Sequence, residues 1–388
     1  MKKINLLLFI IATLLLSSCW DSVNLEERAL IVGTALDLQE SDEHDEPPTL
    51  SVTNQIVVPT EGGSSTANGG ASAAKSFMNI TSIGESIYSL DKELFAKTSK
   101  IPYYEHFLLL VISEQVAKTD NLLPKLLDTY IRDAHIRRGT KVVVAEGDAK
   151  TLLDYKSPEK QLPILLMDEM LDQNEKHAGF VKPIVLGDLE EFHLKNNSYV
   201  LPVMKLDGEI QNKAGAVFQG AKEKMVGTFN TKELQGLALM LKEAEGNIID
   251  FSYRNETLAF EIIKLNQKTK LNTDDINKIN ISVQLHIDGI IKDSSSKVNY
   301  DSKEELHDVQ RVINEKVTGL LKQVIDKAQK EFNADVFNIW RQLETRHYNV
   351  WEQVKDDWEQ GENYFAKANF DISTDINVYS IGTSNKTN

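Results

Sequence analysis

The sequence predicts an α+β fold, a multi-domain mixed α/β chain with mainly antiparallel sheets. A more α/β N-terminal half leads into a C-terminal sheet packed on a long helix. Three observations predict this. Residues 107–145 alternate short, continuously apolar runs with a helical pattern, as interior strands between helices do. Residues 258–262 and 279–288 show apolar–polar alternation, the pattern of half-buried antiparallel strands. Residues 302–332 carry one uninterrupted apolar stripe at helical spacing.

The chain opens with a segment that lies outside any fold. Lys2 and Lys3 precede an apolar run, Ile4 to Leu16, broken only by Asn5 and Thr13. A membrane-spanning helix needs roughly 20 apolar residues. This shorter run has the length of a signal-peptide core. It ends in Leu16-Ser17-Ser18-Cys19, a bulky aliphatic, two small residues and a cysteine. That is the lipobox read by the prolipoprotein diacylglyceryl transferase and signal peptidase II. The small residues let an extended backbone enter a protease cleft, and the cysteine supplies the sulfur that carries diacylglycerol. The expectation is a lipoprotein signal peptide over 1–18 and S-diacylglycerol and N-acyl groups on Cys19. The mature chain would then sit on the extracytoplasmic face of the cell membrane. The alternative is an ordinary secretory signal with a chance cysteine. Cys19 is the only cysteine of the chain, so acylation leaves no free thiol and no disulfide. Two or more acyl chains meet the two-signal condition for stable anchoring, at about 0.8 kcal/mol per buried CH2.

Cleavage before Cys19 leaves 370 of the 388 residues, too many for one ordinary core. Hydrophobic content of 41% and charged content of 26% are those of a globular protein. Loss of Lys2 and Lys3 takes the net charge from −15 to −17. That balance argues against nucleic acid as a partner, since phosphate binding needs a basic stripe. An anionic membrane would also repel the body, so the lipid is expected to do the anchoring while the protein stands off the bilayer.

The elements follow in order. Ala29 to Leu38 and Leu50 to Val58 read as a hairpin around an acidic loop, and Glu61 to Ala74 as a Gly/Ser/Ala-rich loop. Ile83, Ile87, Leu90 and Leu94 predict a helix over Thr81 to Phe95. Phe107 to Ile112 and Lys141 to Ala145 read as buried strands flanking a helix from Leu122 to Ile131, with Pro124 in its first turn. Leu152 to Leu171 holds one or two helices interrupted by Pro158 and Pro163. The polar turn Lys195-Asn196-Asn197-Ser198 places a boundary between an N-terminal domain over 19–196 and a C-terminal domain over 197–384, the latter open to division into two subdomains. Tyr199 to Leu206 is extended. Gly215 to Phe218 and Met225 to Phe229 pair, and Asn230 caps the next helix with Glu233 three residues on. Leu258 to Ile262 and Ile279 to Ile287 are half-buried strands. Leu306, Val309, Ile313, Val317, Leu320, Val324 and Ala328 mark the long helix from Ser302 to Phe332, and a last strand runs from Phe370 to Val378.

No phosphate-binding, dinucleotide-binding, zinc-protease or nucleophile-elbow motif is present. The reading is therefore no enzyme, with no catalytic residue, metal or cofactor assigned. His106 before a buried strand reads as a structural histidine ahead of a switch or ligand role. The acidic run Asp42 to Glu46 lacks the glycine and oxygen spacing of a calcium loop and reads as a solvated loop. Trp340, Trp351 and Trp358 form either a contact surface or core. Trp351 and Trp358, seven apart, would share one helical face, and core packing is the preferred reading. The stripe of the long helix is expected to bury against the sheet rather than form a coiled-coil seam.

Several segments together resemble the Ger(x)C lipoproteins, the C subunits of spore germinant receptors. Cys19-Trp20-Asp21, with Leu25, Glu27 and the strand Ala29-Leu30-Ile31-Val32, resembles the family's opening. Glu105-His106 before the strand that ends in Ser113-Glu114 is similar to the family's Gly-His and Gly-Glu, with Glu105 in place of glycine. Gly215-Ala216-Val217-Phe218, Lys224-Met225-Val226-Gly227, Glu233 and Gly236-Leu237 resemble the start of its C-terminal domain. Ala334-Asp335-Val336-Phe337, Trp351, Trp358 and Phe365 resemble its end, with Asn338 where glycine is frequent. The resemblance implies three mixed α/β domains and a lipoprotein of the spore inner membrane. It also implies integral A and polytopic B subunits as partners, a role in nutrient-triggered germination and no catalytic chemistry. A small-molecule germinant as direct ligand stays open. The competing expectation is a solute-binding lipoprotein that presents a ligand to a transporter. An envelope hydrolase is disfavoured because no carboxylate pair is marked as catalytic.

Overall fold

The computed structural model describes residues 27–39, 48–58, 76–176, 179–292 and 302–379. Its first sheet begins with β1 (Arg28–Leu38), β2 (Leu50–Val57) and β3 (Phe77–Gly84), an antiparallel meander. Helix α1 (Ile87–Lys97) follows, then β4 (Ile101–Tyr103) and β5 (Leu109–Ser113), both parallel to β1. Short α2 (Glu114–Lys118) and α3 (Leu122–Arg132) cross to β6 (Lys141–Ala145), which is parallel to β5. Next come α4 (Ala149–Leu153), α5 (Pro163–Lys176), β7 (Ile184–Val185) and α6 (Leu186–Leu194). The sheet is completed by β8 (Tyr199–Asp207), β9 (Glu209–Gln219) and β10 (Lys224–Phe229). Its strand order is β10-β9-β8-β6-β5-β1-β2-β3, with β4 beside β1 and β7 beside β6.

The central strands are apolar throughout because helices cover both faces. Leu110, Ile112, Val142 and Val144 join α1 and α3 in one core. Leu109, Val111, Val143 and Ala145 point the other way, into α4 and α5. Alternate side chains of one strand thus feed two cores.

Helix α7 (Thr231–Leu241) starts on the expected cap. Asn230 accepts from the Lys232 and Glu233 backbone, and Glu233 reaches back to the Asn230 N–H at 2.8 Å. The second sheet is β11 (Ile248–Tyr253), β12 (Glu256–Asn272), β13 (Asn280–Ile291) and β14 (Asn369–Tyr379). Helix α8 (Lys303–Lys327) lies on it, capped by Ser302 and prolonged by a π-turn over Ala328–Phe332. Its stripe, Val309, Ile313, Val317, Leu320, Leu321 and Val324, enters the core formed with Phe260, Ile281, Val283 and Leu285. The stripe therefore meets the sheet, as expected, and not a second helix of a coiled coil. Helices α9 (Ile339–Arg346), α10 (Tyr348–Val354) and α11 (Tyr364–Lys367) close the domain.

Three local expectations change, and the direction of the last strand, left open by the sequence, is set. Thr81 and Ile83 belong to β3, and the helix starts only at Ile87, after Ser86 accepts the Ser89 N–H as its cap. The helical spacing of Ile83, Ile87, Leu90 and Leu94 ran across a strand–helix junction. The line drawn at 196/197 falls in the turn between α6 and β8, yet the strands that follow it stay with the first sheet. Residues 199–229 pair with the first sheet through Val144↔Val203 and the β8–β9–β10 hairpins. Strand β14 runs parallel to β13, with Asn280↔Asn369 through Ile290↔Tyr379. The connection through α8 crosses back over the sheet before β14 begins, which enforces that direction. Finally, Trp351 lies on α10 whereas Trp358 follows a separate 3-10 turn over Lys355–Asp357, so their spacing is not one helical face.

Candidate functional site

Where the two sheets meet, the C-terminal segment folds against the turn before β8. The segment between the π-turn and α9 supplies Asp335, fully buried. Its carboxylate accepts four hydrogen bonds. They come from the Phe337 N–H (3.2 Å), the Ile339 N–H (3.1 Å), the Trp340 N–H (2.7 Å) and the Trp358 indole N–H (3.0 Å). Asp335 thereby satisfies the free N–H groups at the start of α9. Burial pushes its carboxyl up, while these donors pull it back down.

Glu359 ties this segment to the first sheet. Oε1 accepts the Asp335 N–H at 2.6 Å, and Oε2 accepts from the Ser198 hydroxyl at 2.5 Å. Ser198 Oγ in turn accepts the Gly220 N–H at 3.0 Å. The Gln219 amide donates to Asn333 O at 2.7 Å and Glu359 O at 3.0 Å. Burial raises the Glu359 carboxyl to about 8 against the pull of these hydrogen bonds, and the neighbouring Asp335 adds to the rise. Gly220 has no room for a side chain, because a Cβ there would stand 2.0 Å from Asn196 O.

A cleft of about 260 Å³ opens beside this network. Trp340, Trp351 and Trp358 form its aromatic wall, with ring centroids 6.5 Å and 6.2 Å apart in succession. Lys195 Nζ sits 5.4 Å over the Trp340 ring and 3.6 Å from Glu344, so it joins the α6 end to α9. Two lining residues each carry a buried donor without a partner, Asn197 Nδ2 and Trp340 Nε1. The carboxyls of Asp335 and Glu359 are taken up by donors of the fold, and Ser198 is bonded on both sides. The arrangement joins two structural units; it presents no free base beside a nucleophile.

The residues singled out in the sequence scatter. Cys19 and the acidic run Asp42 to Glu46 lie outside the described residues. His106 sits exposed in the turn before β5, its ring 6.1 Å from that of Tyr103. Trp340 and Trp358 are core, as preferred, each 3% exposed, and Trp351 is half-buried in the cleft wall. Among the described residues, no group of three or more His, Cys, Asp or Glu is placed to hold a metal, and no helix is long and apolar enough to cross a membrane. Sequence reasoning missed the Asp335–Glu359–Ser198–Gln219 network. The one available signal was Asp335 itself, a carboxylate inside the apolar run Ala334 to Phe337.

Comparison with known proteins places this architecture. Residues 21–206 match the spore germination protein N-terminal domain, and residues 213–382 match the spore germination B3/GerAC-like C-terminal domain. Spore germination protein B3 of Bacillus subtilis (strain 168) is 24% identical, with 99% of each chain covered. Spore germination protein A3 of the same organism is 26% identical over 98% of each chain. The crystal structure of the GerBC protein superposes with a TM-score of 0.60 at 18% identity, covering 89% of this chain and 97% of that one. With both domains matched in order from end to end, the chain belongs to the Ger(x)C family of spore germination proteins.

Proposed function

We propose that this chain is the lipid-anchored, non-enzymatic C subunit of a germinant receptor, needed for nutrient-triggered spore germination. The observation that carries the reading is the end-to-end match to both family domains and to the B3 and A3 spore germination proteins. Integral A and polytopic B subunits are its partners, and the spore inner membrane its location. The lipobox ending in Cys19 supports the anchor. The junction site supports a scaffold role, because the carboxyls of Asp335 and Glu359 and the Ser198 hydroxyl are spent on joining the C-terminal segment to the first sheet. The solute-binding alternative calls for a second doubly wound lobe, and the second sheet is instead covered by one long helix.

Deletion of the gene in a strain lacking sister receptors is expected to abolish germination by at least one nutrient class. Unchanged responses to every nutrient, with normal receptor assembly, would refute the role. Cys19→Ala is expected to leave the fold intact and move the chain to the aqueous phase in detergent partitioning. Retention in the detergent phase would count against acylation.

A further inference from the structure

Helix α1 is covered on one side only. Ile87, Leu90 and Leu94 are buried in the first sheet's core. Tyr88, Lys92 and Phe95, spaced by four and three residues, form the opposite ridge. Tyr88 is 71% exposed and Phe95 54%, and Ile101, opening β4, is 47% exposed. Met78 and Ile83 on edge strand β3 are exposed as well. Ile83, five residues on from Met78 along the strand, points to the opposite face of the sheet, so four of the twelve large apolar side chains exposed among the described residues, Met78, Tyr88, Phe95 and Ile101, gather about α1 and β4. Single exposed apolar residues are ordinary, whereas a concentration at one edge marks a contact surface.

The N-terminal tether leaves from the same place. Strand β4 pairs with the very start of β1, Arg28↔Ile101 through Leu30↔Tyr103, and the Arg28 guanidinium lies 4.2 Å over the Tyr103 ring. Eight residues separate Cys19 from Arg28. Fully extended, they reach about 30 Å. A lipid on Cys19 holds this end of the sheet within that distance of the bilayer.

Charge permits a close approach here. The chain carries −15, yet between Glu85 and Glu105 three lysines stand against four acids. Asp91 is engaged by the Tyr104 hydroxyl at 2.9 Å, and Glu93 by Lys97 at 2.6 Å. On the outward ridge, Lys92 is the charge. Aromatic rings beside a lysine suit the headgroup region, where the ring bodies leave water and the ammonium stays in it.

We propose that α1 and the start of β4 rest on the phospholipid surface, with Tyr88, Phe95 and Ile101 entering the headgroup region. This contact depends on the acylation of Cys19 proposed above, and it replaces the expectation that the whole body stands off the bilayer. Lipid and peptide contact would then fix the orientation of the first sheet, leaving the second sheet facing away from the membrane.

Cys19 is the only cysteine, so Phe95→Cys gives the acylated full-length chain one reactive thiol. The chain would be labelled with an environment-sensitive fluorophore, reconstituted in phospholipid vesicles and titrated with spin-labelled lipid. Tyr88→Cys and Ile101→Cys serve as further sites, and Ser252→Cys, at an exposed position of edge strand β11, as control. At 88, 95 and 101 we expect several-fold stronger quenching than at 252. Chain that floats with the vesicles but is quenched equally at 95 and 252 would overturn the contact while leaving the anchor intact. A label shielded from aqueous iodide without lipid quenching would assign the ridge to a second copy of the chain, also overturning it. Chain that fails to float would refute the acylation and this contact with it.

Discussion

Asp335 holds four N–H donors on one buried carboxylate. Asparagine at that position keeps the shape but turns one acceptor into a donor that faces other donors. Asp335→Asn is expected to cost about 1–3 kcal/mol, the range for leaving buried polar groups unpaired, read as a lower urea midpoint. Glu359 adds a pH dependence. Its folded carboxyl titrates near 8, raised by burial, against an ordinary value of 4.5. A carboxyl raised on folding makes the folded state bind the extra proton. Its contribution is fully present below the ordinary value and is lost as pH rises toward 8. Asp335 shifts in the same direction. Stability should therefore fall between about pH 5 and 8, and Glu359→Gln should flatten that slope. Urea midpoints at several pH values check this, and an equally steep slope in the variant would contradict the assignment.

At the scale of elements, helix α8 organises the C-terminal half. Leu321 is fully buried in its stripe, and Leu321→Ala is expected to cost about 2–5 kcal/mol through lost burial and the cavity left behind. Gly236 sets the distance between α7 and α8. A Cβ there would stand 2.5 Å from Leu320 O, which is backbone and cannot swing aside. Alanine gains up to about 1 kcal/mol in helix propensity. Overpacking costs typically about 1–3 kcal/mol. The clash wins, so Gly236→Ala should lower the thermal midpoint; a rise would show that the two helices separate freely. The same elements show what could be read beforehand. Asn230 with Glu233, and Ser302 before the α8 stripe, are local signals and were legible. The start of α1 was not, because Ile83 in a strand and Ile87 in a helix happen to share helical spacing.

For the whole molecule, the junction is the consequential feature. Ser198 and Glu359 are 161 residues apart in sequence and share a 2.5 Å hydrogen bond. No window of sequence contains both, so their pairing was illegible, as was the unpartnered state of Asn197 and Trp340. Glu359 also connects the first sheet to the segment that precedes β14, so titration at one point acts on how the two units hold together. The pH slope predicted above should accordingly appear in the coupling between units, seen as hydrogen exchange at β8 and α9 rising together with pH.

The sequence by itself determined the local structure and the family. Apolar alternation, the α8 stripe and the α7 cap are set by neighbours a few residues apart, where periodicity and side-chain chemistry suffice. Only the tertiary structure decided that residues 199–229 extend the first sheet, that β14 lies parallel to β13, and that Asp335 and Glu359 close the junction. Strand pairing depends on which edge is free once the rest of the chain has folded. A carboxyl's proton affinity depends on how far water is excluded around it. Both are properties of the packed molecule that no local pattern encodes.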